Sequence, residues 1–145
     1  RRAGDSAQRA ATAAARPRAM STILVVEDEY AVAELLRDTL ADEGYTVLVS
    51  ADGRDALDTL DSQRVDLILS DVMMPRLDGR GLTRALRADP RHRATPIILM
   101  SAGPGTGLDP TRDGFDAFIS KPFNLYELLT IVDELLARRP PAPEG

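Results

Sequence analysis

The sequence has no cysteine and no tryptophan, and only one histidine (His92) and one lysine (Lys121) in 145 residues. Without cysteine there is no disulfide, no thiolate nucleophile and no Cys-based zinc site. A single histidine excludes a multi-histidine metal centre. Aromatic residues make up only 4% of the chain, which leaves a core of Val, Ile, Leu and Ala. No apolar run approaches the ~20 residues that a helix needs to cross a bilayer, so no membrane association is expected. Much enzyme chemistry is excluded before any motif is read.

The length suits one domain with one hydrophobic core. Formal net charge is −5, unevenly spread: residues 1–19 hold five Arg against one Asp, and the remainder carries −9. Direct nucleic-acid binding is not expected of so acidic a body, because phosphate backbones require basic surface. Residues 1–19 (RRAGDSAQRAATAAARPRA) contain no large apolar side chain and are expected to form a disordered tail. A transit peptide is the sharper alternative for this Arg- and Ala-rich stretch. Met20 stands directly before the first predicted strand and suits a natural start.

From residue 20 to 138 apolar patterns of two kinds alternate. Thr22–Val26 (TILVV), Tyr45–Val49, Asp66–Ser70 (DLILS), Pro96–Met100 (PIILM) and Ala117–Ser120 (AFIS) are short apolar runs, as expected of strands buried in a parallel sheet. Between them Val32, Leu35, Leu36 and Leu40, then Ala56, Leu57 and Leu60, then Leu82, Ala85 and Leu86 recur at helical spacing. A last helix is predicted from about Leu125 to Arg138, with Leu128, Leu129, Val132, Leu135 and Leu136 facing the core. Asn124 and Glu127 form a capping box at its start. Residues 139–145 are too Pro-rich to extend it and are expected to be a disordered tail. Strands alternating with helices predict an α/β, doubly wound, five-stranded parallel sheet of order 2-1-3-4-5. One connection is poor in helix formers. Residues 102–114 (AGPGTGLDPTRDG) hold four Gly, two Pro and a single Leu, which predicts a degenerate fourth helix.

In such a sheet, ligands bind beyond the carboxyl ends of the strands. Those ends carry Glu27 and Asp28 after strand one, Asp71 after strand three, Ser101 after strand four and Lys121 after strand five. Taken singly, each has a plainer reading: a solvated turn, a loop cap, an ordinary serine. Lys121 is more specific, because a chain with 17 Arg uses its single Lys there, a compact charge suited to phosphate. Converging carboxylates repel unless a cation or proton intervenes. Hard oxygen ligands with open water positions suit Mg²⁺, which would neutralise the acids and hold a phosphoryl oxygen against Asp71.

Residues 22–28 (TILVVED), 67–79 (LILSDVMMPRLDG), 97–102 (IILMSA) and 121–123 (KPF) together resemble the response-regulator receiver family, with its CheY-like fold. The intervals of 43 residues from Asp28 to Asp71 and 30 from Asp71 to Ser101 also resemble that family. The resemblance implies that Asp71 accepts a phosphoryl group and that Lys121 contacts it, usually with a cis peptide to the following proline. It implies that Asp28, Glu27 (often through water), Asp71 and the backbone carbonyl of Met73 hold Mg²⁺. It further implies that Ser101 and Phe118 are the switch pair, and that Pro75 and Gly79 shape the loop after the acceptor. The expected partners are a histidine kinase or phosphotransfer protein and a downstream protein target, in the cytoplasm, with no nucleic acid bound directly. Such a domain is not an enzyme beyond catalysing its own phosphoryl transfer and dephosphorylation. With no output domain after the last helix, a stand-alone receiver is expected, the alternative being a piece cut from a longer protein.

Three alternatives compete. A haloacid-dehalogenase-type phosphotransferase needs a second aspartate two positions after the nucleophile, where Met73 stands. A flavin-binding module needs a phosphate cradle in the first loop, where Glu27, Asp28 and Glu29 would repel phosphate. A phosphorylation-independent adaptor that keeps the fold for partner binding is the remaining one, and the weak fourth helix sustains it.

Overall fold

Side-chain burial sorts the strands into centre and edge. The computed structural model describes residues 21–103 and 107–138. Strands β1 (Thr22–Val26), β3 (Leu67–Asp71) and β4 (Ile97–Ser101) are buried along nearly their whole length. Strands β2 (Thr46–Ser50) and β5 (Ala117–Ser120) are partly exposed. The sheet is parallel throughout, with order β2-β1-β3-β4-β5, so the three near-continuously apolar strands are the inner three. The predicted order holds. Three strands begin and end one residue later than the apolar runs suggest, because ladder pairing continues onto Ser50, Asp71 and Ser101.

Strand alternation divides the core into two layers. On one face Ile23, Val25, Leu67, Leu69, Ile98 and Met100 pack against helices α1 (Tyr30–Asp42) and α5 (Leu125–Arg138). On the other, Leu24, Val26, Ile68, Ile97 and Leu99 meet α2 (Gly53–Ser62) and α3 (Gly79–Arg87). Helix α1 ends where Gly44 takes φ 98°, and its N–H bonds to Ala41 O at 2.9 Å. Helix α5 starts as predicted, with Glu127 N–H donating to Asn124 Oδ1 at 3.1 Å. Leu35 departs from its expected role. It is 47% exposed, and Ala33 fills the inward position beside Leu36 and Leu40.

The fourth helix, α4, is a single turn, Pro110–Asp113, capped by the Asp109 side chain. Residues 107–109 are not helical, and 104–106 lie outside the described residues. The Gly and Pro content that predicted a degenerate helix accounts for this: each residue of either type raises the cost of helix over coil. The expected tails at 1–19 and 139–145 also lie outside the described residues.

Leu99, fully buried in the central layer, and Leu35 make a matched pair for testing this packing. Leu99→Ala is expected to cost about 3 kcal/mol in urea unfolding, through lost burial and an unfilled cavity. Leu35→Ala should cost less than ~1 kcal/mol.

Candidate functional site

Glu27, Asp71 and Lys121 sit where one strand's ladder overruns the next. Glu27 N–H donates to Ser50 O at 3.0 Å, Val72 N–H to Met100 O at 2.8 Å, and Lys121 N–H to Ser101 O at 2.7 Å. These bonds fix the backbone at the carboxyl edge, so the side chains of Glu27, Asp71 and Lys121 project from a rigid frame. The topology places β1 and β3 side by side, which brings Asp28 and Asp71 together although 43 residues separate them.

One oxygen from each of Glu27, Asp28 and Asp71 can be chosen so that all three lie within 4.8 Å of one another. Lys121 Nζ reaches into this group, 2.8 Å from Glu27 Oε1, 3.5 Å from Asp71 Oδ2 and 3.9 Å from Glu29 Oε1. The second Glu27 oxygen, Oε2, accepts from Glu29 N–H at 3.1 Å. Both oxygens of the fully buried Glu27 side chain are therefore engaged by protein. Asp28 is exposed.

Burial pushes the Glu27 carboxyl above its ordinary value, against the pull of Lys121 and Glu29 N–H, and the Asp71 charge adds to the rise. Burial likewise raises Asp71; Lys121 opposes it and the charge of Asp28 reinforces it. Burial alone would lower Lys121, but its contacts with Glu27 and Asp71 outweigh that and leave it above its ordinary value. Three carboxylates against one ammonium make the edge a site of uncompensated negative charge.

Ser101 ends β4, half-buried, with its Oγ accepting from Gly103 N–H at 3.3 Å. Phe118 is half-buried against the α2–α3 layer. Leu99 pairs with Phe118 and Ser101 with Ser120, so Ser101 and Phe118 are diagonal neighbours on one face of the sheet. Met73 stands in the loop after β3 with its side chain 71% exposed. The Lys121–Pro122 peptide is cis. Gly79 N–H bonds to Val72 O at 2.9 Å, and a Cβ at Gly79 would lie 2.5 Å from Asp71 O, so the loop after Asp71 needs glycine there. Sequence reasoning missed Glu29, whose backbone orients Glu27. Nothing in an acidic run says which member turns its N–H inward.

The family model of the response regulator receiver domain matches residues 23–133. The chain belongs to this family. Response regulator MprA of Mycolicibacterium vanbaalenii is 44% identical over 124 residues, covering 82% of this chain and 52% of MprA. The chain thus spans about half the length of the curated relatives it matches, and the expected stand-alone form draws no support from them. Among solved structures, the chemotaxis response regulator CheY4 of Vibrio cholerae is 32% identical with TM-score 0.75, covering 80% of this chain and 98% of that one. The receiver domain of sensor histidine kinase PA1611 from Pseudomonas aeruginosa was solved with magnesium coordinated in its active-site cleft. It is 33% identical with TM-score 0.74, covering 81% of this chain and 98% of that one. As a receiver domain of two-component response regulators, the chain is a signalling domain rather than a classical enzyme. Among the described residues no helix is long and apolar enough to cross a membrane.

The raised carboxyls of Glu27 and Asp71 retain protons in the folded chain at pH values where the unfolded chain has lost them. Their contribution to stability is present at low pH and is lost as pH rises above the ordinary carboxylate range and through the raised values. In cation-free buffer, Asp71→Asn is therefore expected to melt about 3 °C higher than the native protein near neutral pH. The difference should shrink as pH falls through and below the ordinary carboxylate range, where the native Asp71 carboxyl gains its proton in the folded and unfolded chains alike. A variant that melts lower near neutral pH contradicts this account of the site.

Proposed function

We propose that this receiver accepts a phosphoryl group on Asp71 in a Mg²⁺-dependent reaction and passes the signal to a protein partner through Ser101 and Phe118. The observation that carries the reading is the acidic edge itself: Glu27, Asp28 and Asp71 converge with Lys121 as their one ammonium. The donor set is all oxygen and carries excess negative charge, which fits a hard dication that keeps several waters. Asp28, Asp71 and the backbone carbonyl of Met73 would hold it, with Glu27 acting through water because Lys121 and Glu29 N–H occupy its oxygens. When bound, Mg²⁺ supplies neutralisation of the acceptor and of the incoming phosphoryl oxygens.

The chain's own residues then divide the work. An Asp71 carboxylate oxygen attacks the phosphorus of a phosphohistidine or a small phosphodonor, the bond to the donor's leaving atom breaks, and an acyl phosphate forms. Positioning and charge account for most of the acceleration in such transfers. Lys121, 3.5 Å from Asp71 Oδ2 and tethered to Glu27, is placed to meet a phosphoryl oxygen without leaving its anchor. The Ser101 hydroxyl donates to another phosphoryl oxygen as it moves toward Asp71. That movement vacates space on the face it shares with Phe118, whose ring follows inward. Attack of water on the acyl phosphate returns the carboxylate and releases phosphate. A histidine kinase or phosphotransfer protein is the proposed donor.

Intact mass after incubation with acetyl phosphate tests the reading. The expected result is one phosphoryl adduct in the native protein that needs Mg²⁺ and is absent from Asp71→Asn. A folded native protein that gains no adduct at any Mg²⁺ concentration favours the adaptor reading, for which the single-turn α4 is the one structural motive.

A further inference from the structure

The loop between Asp71 and α3 contains a backbone oddity that the acceptor chemistry does not use. Arg76 has φ 69°, the only positive φ of a non-glycine residue among the described residues. Leu77 N–H bonds to Pro75 O at 2.8 Å, closing a three-residue γ-turn around Arg76. L-residues enter this region at a cost that Gly avoids and Asn reduces. An arginine stands there instead, and its guanidinium reaches across to ion-pair with Asp52, 24 residues earlier.

Asp52 is 3% exposed and already has a local task, since its Oδ1 accepts from Asp55 N–H at 2.9 Å and caps α2. Asparagine would cap equally well. The negative charge interacts with the start of α2 as well, but only a charged carboxylate can also form the ion pair with Arg76. Beside the pair, Gly53 N–H donates to Leu77 O at 3.1 Å, and a Cβ on Gly53 would lie 2.4 Å from that oxygen. The tip of the loop is thus fastened to the start of α2 by an ion pair and a backbone bond. Its base is closed by Gly79 N–H on Val72 O at 2.9 Å. Met73, whose carbonyl belongs to the proposed cation site, lies between these two anchors.

We infer that Arg76 and Asp52 are positioning residues for the acceptor site: their ion pair latches the loop after Asp71 onto α2 and presets its backbone for cation binding. The cation half of this inference rests on the function proposed above; the latch itself does not. Asp52→Asn keeps the helix cap and Arg76→Gly relieves the left-handed backbone, so both remove the ion pair while leaving the fold intact.

Amide exchange at Gly53 and Leu77 reads the latch without any phosphodonor. Each variant is expected to exchange about tenfold faster at these amides, with amides of β1 and β3 unchanged. With acetyl phosphate, the half-saturating Mg²⁺ for adduct formation should rise about fivefold in each variant, and no further in the double variant, because the two residues act through one contact. The rate at saturating Mg²⁺ and the melting temperature should stay near the native values, and Arg76→Lys should recover part of the Mg²⁺ dependence. Unchanged exchange at both amides overturns the latch. Additive effects in the double variant, or a fall in melting temperature with unaltered Mg²⁺ dependence, overturn the positioning role. If the native protein forms no adduct at all, the proposed function fails while the exchange result still decides the latch.

Discussion

The grip of Lys121 on Glu27 is the constraint around which the rest of the acidic edge is arranged. A fully buried carboxylate without a partner would be protonated or expelled. Lys121 holds it at 2.8 Å, and Glu29 N–H takes the other oxygen. Because the ammonium is committed there, Asp71 receives only its weaker attention at 3.5 Å and Asp28 receives none of it. The result is an Asp71 carboxylate that is partly dehydrated, short of positive charge and backed by a rigid sheet. Such a site is suited to gaining a dication, which relieves the repulsion among the carboxylates.

The fold delivers this arrangement through strand order more than through local sequence. Glu27 and Asp71 lie at the ends of adjacent strands, and Lys121 follows the edge strand β5, two strands away from β3. The lysine's flexible stem spans that distance. Alternation along the strands puts Ser101 and Phe118 on the face that α2 and α3 cover, away from α1 and α5. A change at the carboxyl edge of the sheet can therefore be felt on one layer of the domain. On that layer the final connection is a single helical turn, with Asp113 buried and bonded to Arg112 and Arg80. Arg112 and the Asp109 N–H hold the Asp113 carboxyl well below the ordinary carboxylate range.

Much of this was legible in the residues because parallel strands covered on both sides must be nearly all apolar. That leaves polar residues at their carboxyl ends conspicuous. The convergence of Glu27, Asp28, Asp71 and Lys121 was legible from that regularity, once strand–helix alternation had given the order of the sheet. Strand ends were off by a residue because backbone pairing does not stop where apolarity stops, as Asp71 and Ser101 demonstrate. Leu35 misled because periodicity marks a helix face about 100° wide, and a leucine on its margin can be left in water. The Arg76–Asp52 pair was illegible for a different reason. A left-handed arginine has no sequence signature, and its partner reads as an ordinary helix cap.

Charge that Lys121 leaves uncompensated is what would make the acidic edge a cation site. Calorimetric titration of Mg²⁺ into the native protein and into Asp28→Asn tests it most directly, since Asp28 is exposed and its replacement spares the core. One Mg²⁺ per native chain is expected, with at least about tenfold weaker binding in the variant through the loss of one charged ligand. Equal affinity in the two proteins, or no saturable binding in the native one, would contradict it.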